Sequence, residues 1–176
     1  MRHKQRRSGI IGVGLASALL LLSPALPIKA QSFLMSDASW ESCTGTFYDS
    51  GGSGGGYANS EDFMATLCPT GGAGSGPATS VTFLSFNVQP LDLADELVIY
   101  DGTSTSDPIL ATGGFLNDLT GQTFTATSPS GCLTFHWTSD PLTTDAGWVA
   151  EITTGPDAGA NAAISICSDD ASFRCV

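Results

Sequence analysis

Two aspartates carry most of the chemistry this chain has to offer. Residues 81–102, VTFLSFNVQPLDLADELVIYDG, and 131–154, GCLTFHWTSDPLTTDAGWVAEITT, are β-rich runs that each end or turn on an aspartate. They put Asp95 and Asp140 where one metal ion could join them. The competing reading makes both of them turn residues whose carboxylates bond nearby amides, a common role of Asp in loops.

Catalytic chemistry finds little support beyond that pair. After the first 30 residues the only histidine is His136, placed mid-strand on the face away from Phe135 and Trp137. A Ser-His-Asp arrangement cannot be built from the mere abundance of Ser and Asp, because a triad is recognised by geometry. No HExxH, GxSxG or P-loop pattern occurs. The glycines at 51, 52 and 54–56 resemble a phosphate loop only superficially, since no Lys follows and no helix begins there. The short loops offer no obvious deep cleft for a sugar-hydrolysing carboxylate pair. The expectation is a protein that is not an enzyme.

The elements that must position the aspartates follow a leader. Arg2, Lys4, Arg6 and Arg7, the apolar run Ile10 to Leu22, and Ala30 before Gln31 read as a secretory signal over residues 1–30. Its apolar run is shorter than the roughly 20 residues a bilayer span needs. Cleavage after Ala30 removes five of the six basic residues and leaves Arg174 against 17 acids, a formal charge of −16. Such a surface repels phosphate backbones and anionic lipid heads. Nucleic acid and bare membrane are therefore poor partners, and cations or proteins with a basic face are better ones.

The remaining residues suit one all-β domain. Strands are expected at Thr44–Tyr48, Phe63–Cys68, Val81–Gln89, Asp95–Tyr100, Ile109–Thr112, Thr123–Thr127, Cys132–Thr138 and Gly147–Thr153. Thr123–Thr127 and Cys132–Thr138 read as a hairpin across Ser128–Gly131. Leu133, Phe135 and Trp137 share one face by the strand period of two, as do Trp148, Ala150 and Ile152, and both faces are taken as core. Trp40 is expected in a more open position. Residues 31–42 read as a lead-in and 155–176 as a linker with a cysteine-containing tail.

In order and spacing, residues 43–154 resemble a CUB domain, an antiparallel β-sandwich of jelly-roll type found in extracellular proteins. The resemblance rests on Cys43-Thr44-Gly45, Cys68, the Phe-rich strand ending FNVQP, the DELVIYDG block, the TSD after an aromatic strand, and Gly147-Trp148. The sequence departs from the family's usual second disulfide: Asp92 stands near one cysteine position, and Gly113-Gly114-Phe115 cover the other. The resemblance implies a Ca²⁺ site from Gln89, Asp95 and Asp140, supported by Tyr57. Ca²⁺ takes 6–8 oxygen ligands and its affinity follows ligand charge, so an amide at Gln89 weakens the set. Asp145, Glu61 or backbone carbonyls after Asp140 are candidates to compensate.

Five cysteines in an exported chain point to disulfides. The resemblance supports Cys43 with Cys68. Cys167 with Cys175 is the locally easy bridge, which leaves Cys132 either to reach the tail or to link two chains. The reading is then a secreted binding module, Ca²⁺-stabilised, that recognises an extracellular protein with a basic face or a glycan. Its rivals are a surface or matrix component cross-linked through the tail cysteines, and an accessory domain of a secreted hydrolase system.

Overall fold

The computed structural model describes residues 31–89 and 95–154. The expected signal sequence, the expected linker and tail, and the expected Cys167–Cys175 pairing lie outside the described residues. The ten strands are β1 Ser32–Leu34, β2 Ala38–Glu41, β3 Gly45–Tyr48, β4 Asp62–Cys68, β5 Thr79–Asn87, β6 Glu96–Tyr100, β7 Ile109–Gly114, β8 Thr123–Thr125, β9 Leu133–Thr138 and β10 Gly147–Thr154. They form two five-stranded sheets, in the orders β1-β3-β10-β5-β8 and β2-β4-β9-β6-β7.

Alternation in the sequence explains the stacking of the sheets. Leu133, Phe135 and Trp137 of β9 and Trp148, Ala150 and Ile152 of β10 are all buried, as the period of two requires. Phe47 touches both layers, with ring centroids 4.9 Å from Phe135 and 5.9 Å from Trp148, and Trp137 meets Trp148 at 5.0 Å. Burying each such large side chain contributes about 1.5–3 kcal/mol. In β6, Val98 and Tyr100 are buried along with Leu97 and Ile99, because β6 lies between β7 and β9.

Four expectations are corrected here. Residues 31–42 are more than a lead-in. They supply β1 and β2, which pair in parallel with β3 and β4 at the sheet edges, whereas every strand pair within residues 43–154 is antiparallel as expected. Both strands are only three or four residues long, too short for a clear alternation signal. Met35 between them is fully buried, and Trp40 is half-buried against Phe33, with centroids 5.4 Å apart. Third, β8 and β9 do not form a hairpin. β8 pairs with β5, through Ser80↔Thr125 and its neighbours, and Ser128–Gly131 carries the chain to the opposite sheet.

The fourth correction concerns the cysteines. Cys68 is bonded to Cys132, 64 residues away, rather than to Cys43. Antiparallel pairing of β4 and β9 places Leu67 opposite Leu133, which brings the flanking Cys68 and Cys132 face to face with Cα atoms 4.2 Å apart. Cys43 is buried near the Thr70 hydroxyl, 3.1 Å from its Sγ, and is itself disulfide-bonded.

Candidate functional site

Tyr57 organises one end of the sandwich. Its ring packs edge-on against Trp137 at 4.8 Å. Its hydroxyl donates to Asp95 Oδ2 at 2.7 Å and accepts the Gln89 backbone N–H at 3.0 Å. Burial, and then the neighbouring Asp95 carboxylate, hold the phenol well above its ordinary value of 10.0. Asp95, just before β6 and 2% exposed, accepts the Asp140 amide on Oδ1 at 2.8 Å. The two loops expected to share chemistry are thus physically joined.

A second set of contacts fixes the Asp140 loop against residues 58–61. Ser60 N–H donates to the Asp140 carbonyl at 2.7 Å, Ser139 N–H to the Glu61 carbonyl at 3.0 Å, and Asn59 Nδ2 to the Pro141 carbonyl at 3.3 Å. Glu61 is occupied as well: Oε1 accepts from Ser50 Oγ and the Ala58 amide, and Oε2 accepts from Trp137 Nε1 at 2.9 Å. It acts as a clamp on this loop. Asp145 accepts its neighbour Ala146's amide at 2.7 Å.

Gln89 is 4% exposed. Its Nε2 donates to the Thr143 hydroxyl, and its Oε1 is buried with no hydrogen-bond partner among the described residues. A buried acceptor left unpaired costs about 1–3 kcal/mol. The structure therefore gathers Gln89, Tyr57, Asp95 and Asp140, all expected at one place. Their geometry also accommodates the turn-residue alternative, because Asp95 accepts the Asp140 amide and Asp140 Oδ1 accepts the Leu142 amide at 2.8 Å. No group of three or more His, Cys, Asp or Glu side chains able to hold a metal comes together among the described residues. The donor set is two carboxylates and an amide oxygen, which suits a hard cation such as Ca²⁺ and offers no soft ligand.

Two further aspartates, outside the expected site, are buried and hold loops. Asp49 Oδ1 accepts the Gly51 amide at 2.7 Å, and Oδ2 accepts the Trp148 amide at 3.1 Å. Burial pushes its carboxyl above the usual range, and these amides offset part of the effect. Asp101 receives the Thr127 hydroxyl and amide and the Ser128 amide, which together outweigh the effect of burial and lower its pKa. The signal was present in DG at 101–102, where Asp is a turn former. His136 Nε2 lies 2.8 Å from Asp62 Oδ1, an exposed pair on the outer side of β9 and β4.

No family model matches the sequence. No curated protein matches it either. Solved structures do. The CUB1-EGF-CUB2 domains of rat MASP-1 align with a TM-score of 0.50 at 14% identity, over 66% of this chain and 42% of that one. The CUB1-EGF-CUB2 domain of human MASP-1/3 gives 0.52 at 16%, over 69% and 43%. The full extracellular region of zebrafish Gpr126/Adgrg6 gives 0.53 at 18%, over 69% and 15%. The chain spans less than half the length of each of these proteins. At such identities the likeness establishes the architecture, and with the ten-strand sandwich above it shows that this chain has a CUB-like fold.

Proposed function

We propose that this chain is an extracellular, non-enzymatic binding module whose Asp95–Asp140 edge is stabilised by Ca²⁺ and receives a basic side chain from a protein partner. The observation that carries the reading is Gln89 Oε1, a buried acceptor with no partner among the described residues, close to the Tyr57 hydroxyl that bonds Asp95, whose carboxylate in turn takes the Asp140 amide. A cation would satisfy it. Gln89, Asp95 and Asp140 would hold the ion, whose positive charge would offset that of the two carboxylates. Tyr57 keeps Asp95 oriented.

Charge supports the class of partner. Residues 31–154 contain 14 acidic residues and no Lys or Arg, so a basic face approaching this sandwich meets no repelling cation. One structural neighbour is by name an extracellular region, and the Cys68–Cys132 bridge suits an oxidising compartment.

Thermal melts in EGTA and in millimolar Ca²⁺ test the proposal. An ion at 100 times its Kd adds about 2.7 kcal/mol, which raises the melting temperature of a domain this size by several degrees. The rise is expected in the wild type and absent in Asp140→Ala. An unchanged wild-type melt, or an equal rise in both proteins, overturns the Ca²⁺ site.

A further inference from the structure

A second surface, on the sheet that does not contain β6, has the lining of a ligand site, and its Gly56, Asn87 and Ala146 lie within two residues of Tyr57, Gln89 and Asp145 in sequence. On the outer side of β3, β10 and β5 lies an open depression of about 550 Å³, within the roughly 300–1,000 Å³ typical of small-molecule sites. The loop 50–56 walls one side through Gly52, Ser53, Gly55 and Gly56, and Tyr48, Ser85, Asn87 and Val149 contribute from the strands.

The polar groups in this depression differ from those on the rest of the sheet. Farther along β5 the hydroxyls pair with each other, Ser80 with Thr125 and Thr82 with Thr123, each at 2.8 Å. The Tyr48 hydroxyl, Ser53, Ser85 and the Asn87 amide make no side-chain hydrogen bond to any described residue. They are available to a ligand. A β-bulge sits beside them: Val149 pairs with Ser85 and Ala150 with Phe83, so Leu84 is skipped. The bulge lets Phe83 and Phe86 both face the core while Ser85 and Asn87 line the depression. Bulges commonly re-aim side chains beside binding sites.

The glycines of loop 50–56 differ in what packing demands of them. At Gly51 a Cβ would lie 2.1 Å from the Gly56 carbonyl, and at Gly56 it would lie 1.9 Å from the Asp145 carbonyl, so packing excludes a side chain at both. Gly55 is extended, and its nearest neighbour is 3.8 Å from a would-be Cβ. Packing therefore does not require a glycine at Gly55, and its bare backbone leaves the depression open.

The geometry points to a short neutral oligosaccharide as the occupant. The lining offers one aromatic ring with a polar tip, two hydroxyls and one amide, the complement of a sugar's apolar ring face and equatorial hydroxyls. Its only ionisable group besides Tyr48 is Asp49, 1% exposed and already bonded to the Gly51 and Trp148 amides. No Lys or Arg between residues 31 and 154 could neutralise an anionic sugar. An extended peptide is disfavoured because β3, β10 and β5 each have neighbours on both sides, leaving no free strand edge.

Calorimetric titration of the purified chain with short cello-, chito-, manno-, xylo- and galacto-oligosaccharides, and with uronic-acid and sulfated counterparts, tests this. At least one neutral series is expected to bind and the anionic series are expected not to. Tyr48→Ala should weaken binding at least tenfold. Gly55→Phe should abolish it, whereas Gly54→Phe should leave it intact, since Gly54 does not line the depression and has open space around it. Melting temperatures measured alongside show that each variant is folded. Failure of every neutral series to bind, tighter binding of an anionic series, or wild-type affinity in Tyr48→Ala and Gly55→Phe each overturns the assignment. EGTA in a parallel titration separates this site from the Ca²⁺ reading: sugar binding should survive it.

Discussion

Tyr57 and Asp95, 38 residues apart in sequence, share a buried hydrogen bond of 2.7 Å between the phenol and Oδ2. Through it, the loop entering β4 is tied to the residue that opens β6. The same oxygen of Tyr57 takes the Gln89 amide, so one hydroxyl serves a carboxylate and a backbone donor together.

Tyr57→Phe should therefore cost more than one ordinary hydrogen bond. The ring keeps its contact with Trp137, but Asp95 Oδ2 and the Gln89 N–H lose their shared partner in a buried place. Each such orphaned group costs about 1–3 kcal/mol. Urea unfolding should show a loss of at least about 2 kcal/mol by that figure, with little change in slope. A loss below half of this would mean that water replaces the hydroxyl.

Glycine at 147 is required by both backbone and space. Its φ is +73°, and a Cβ there would lie 2.1 Å from Asp49 Oδ2. Gly147→Ala should destabilise the domain by several kcal/mol, on the order of 1–3 for the backbone conformation alone, or prevent folding. Gly54→Ala, with nothing within 4 Å of the new Cβ, should change the melting temperature little. Equal melts for the two variants would refute this account of the Gly147–Asp49 contact.

The strands with three or more alternating apolar residues, β9 and β10 among them, were legible because one face of each is buried. The joining of Gln89, Tyr57, Asp95 and Asp140 was legible only through the CUB resemblance, since nothing local links residues so far apart in sequence. β1 and β2 were hidden by their brevity. The Cys68–Cys132 bond was hidden because it depends on which strands are neighbours, and the Ser128–Gly131 turn looked like a hairpin when it crosses between sheets. Asp49 was hidden for a similar reason, since its partner Trp148 lies 99 residues away.

Asp101 should govern part of the acid limb of stability. Its folded pKa lies below 3.8 because the Thr127 and Ser128 donors favour the carboxylate. A group with a depressed folded pKa contributes stability above its unfolded value, and that contribution fades as pH falls through the folded value. Asp101→Asn loses the charged acceptor and turns an N–H₂ toward donors, so it should be less stable at pH 7 by about 1–3 kcal/mol. The gap to wild type should narrow below about pH 4, as Asp101 itself protonates. A gap that stays constant from pH 7 to strongly acid pH would remove the carboxylate's charge from the explanation.

The disulfide makes the sharpest covalent prediction. Antiparallel β4 and β9 set Cys68 against Cys132 whatever the other cysteines do, and the bond closes a loop of 64 residues. In the chain-entropy picture a loop of that length restricts the unfolded chain by about 4 kcal/mol. Replacing both residues by serine should lower stability by roughly that amount, and the melting temperature by more than ten degrees, at about 4 °C per kcal/mol for a domain of this size. Proteolysis without reduction, followed by mass spectrometry, should release a linked peptide pair carrying Cys68 and Cys132. A pair carrying Cys43 and Cys68 would instead mean that β4 is stapled to the loop before β3, and the strand pairing deduced for β4 and β9 would have to be wrong at that end.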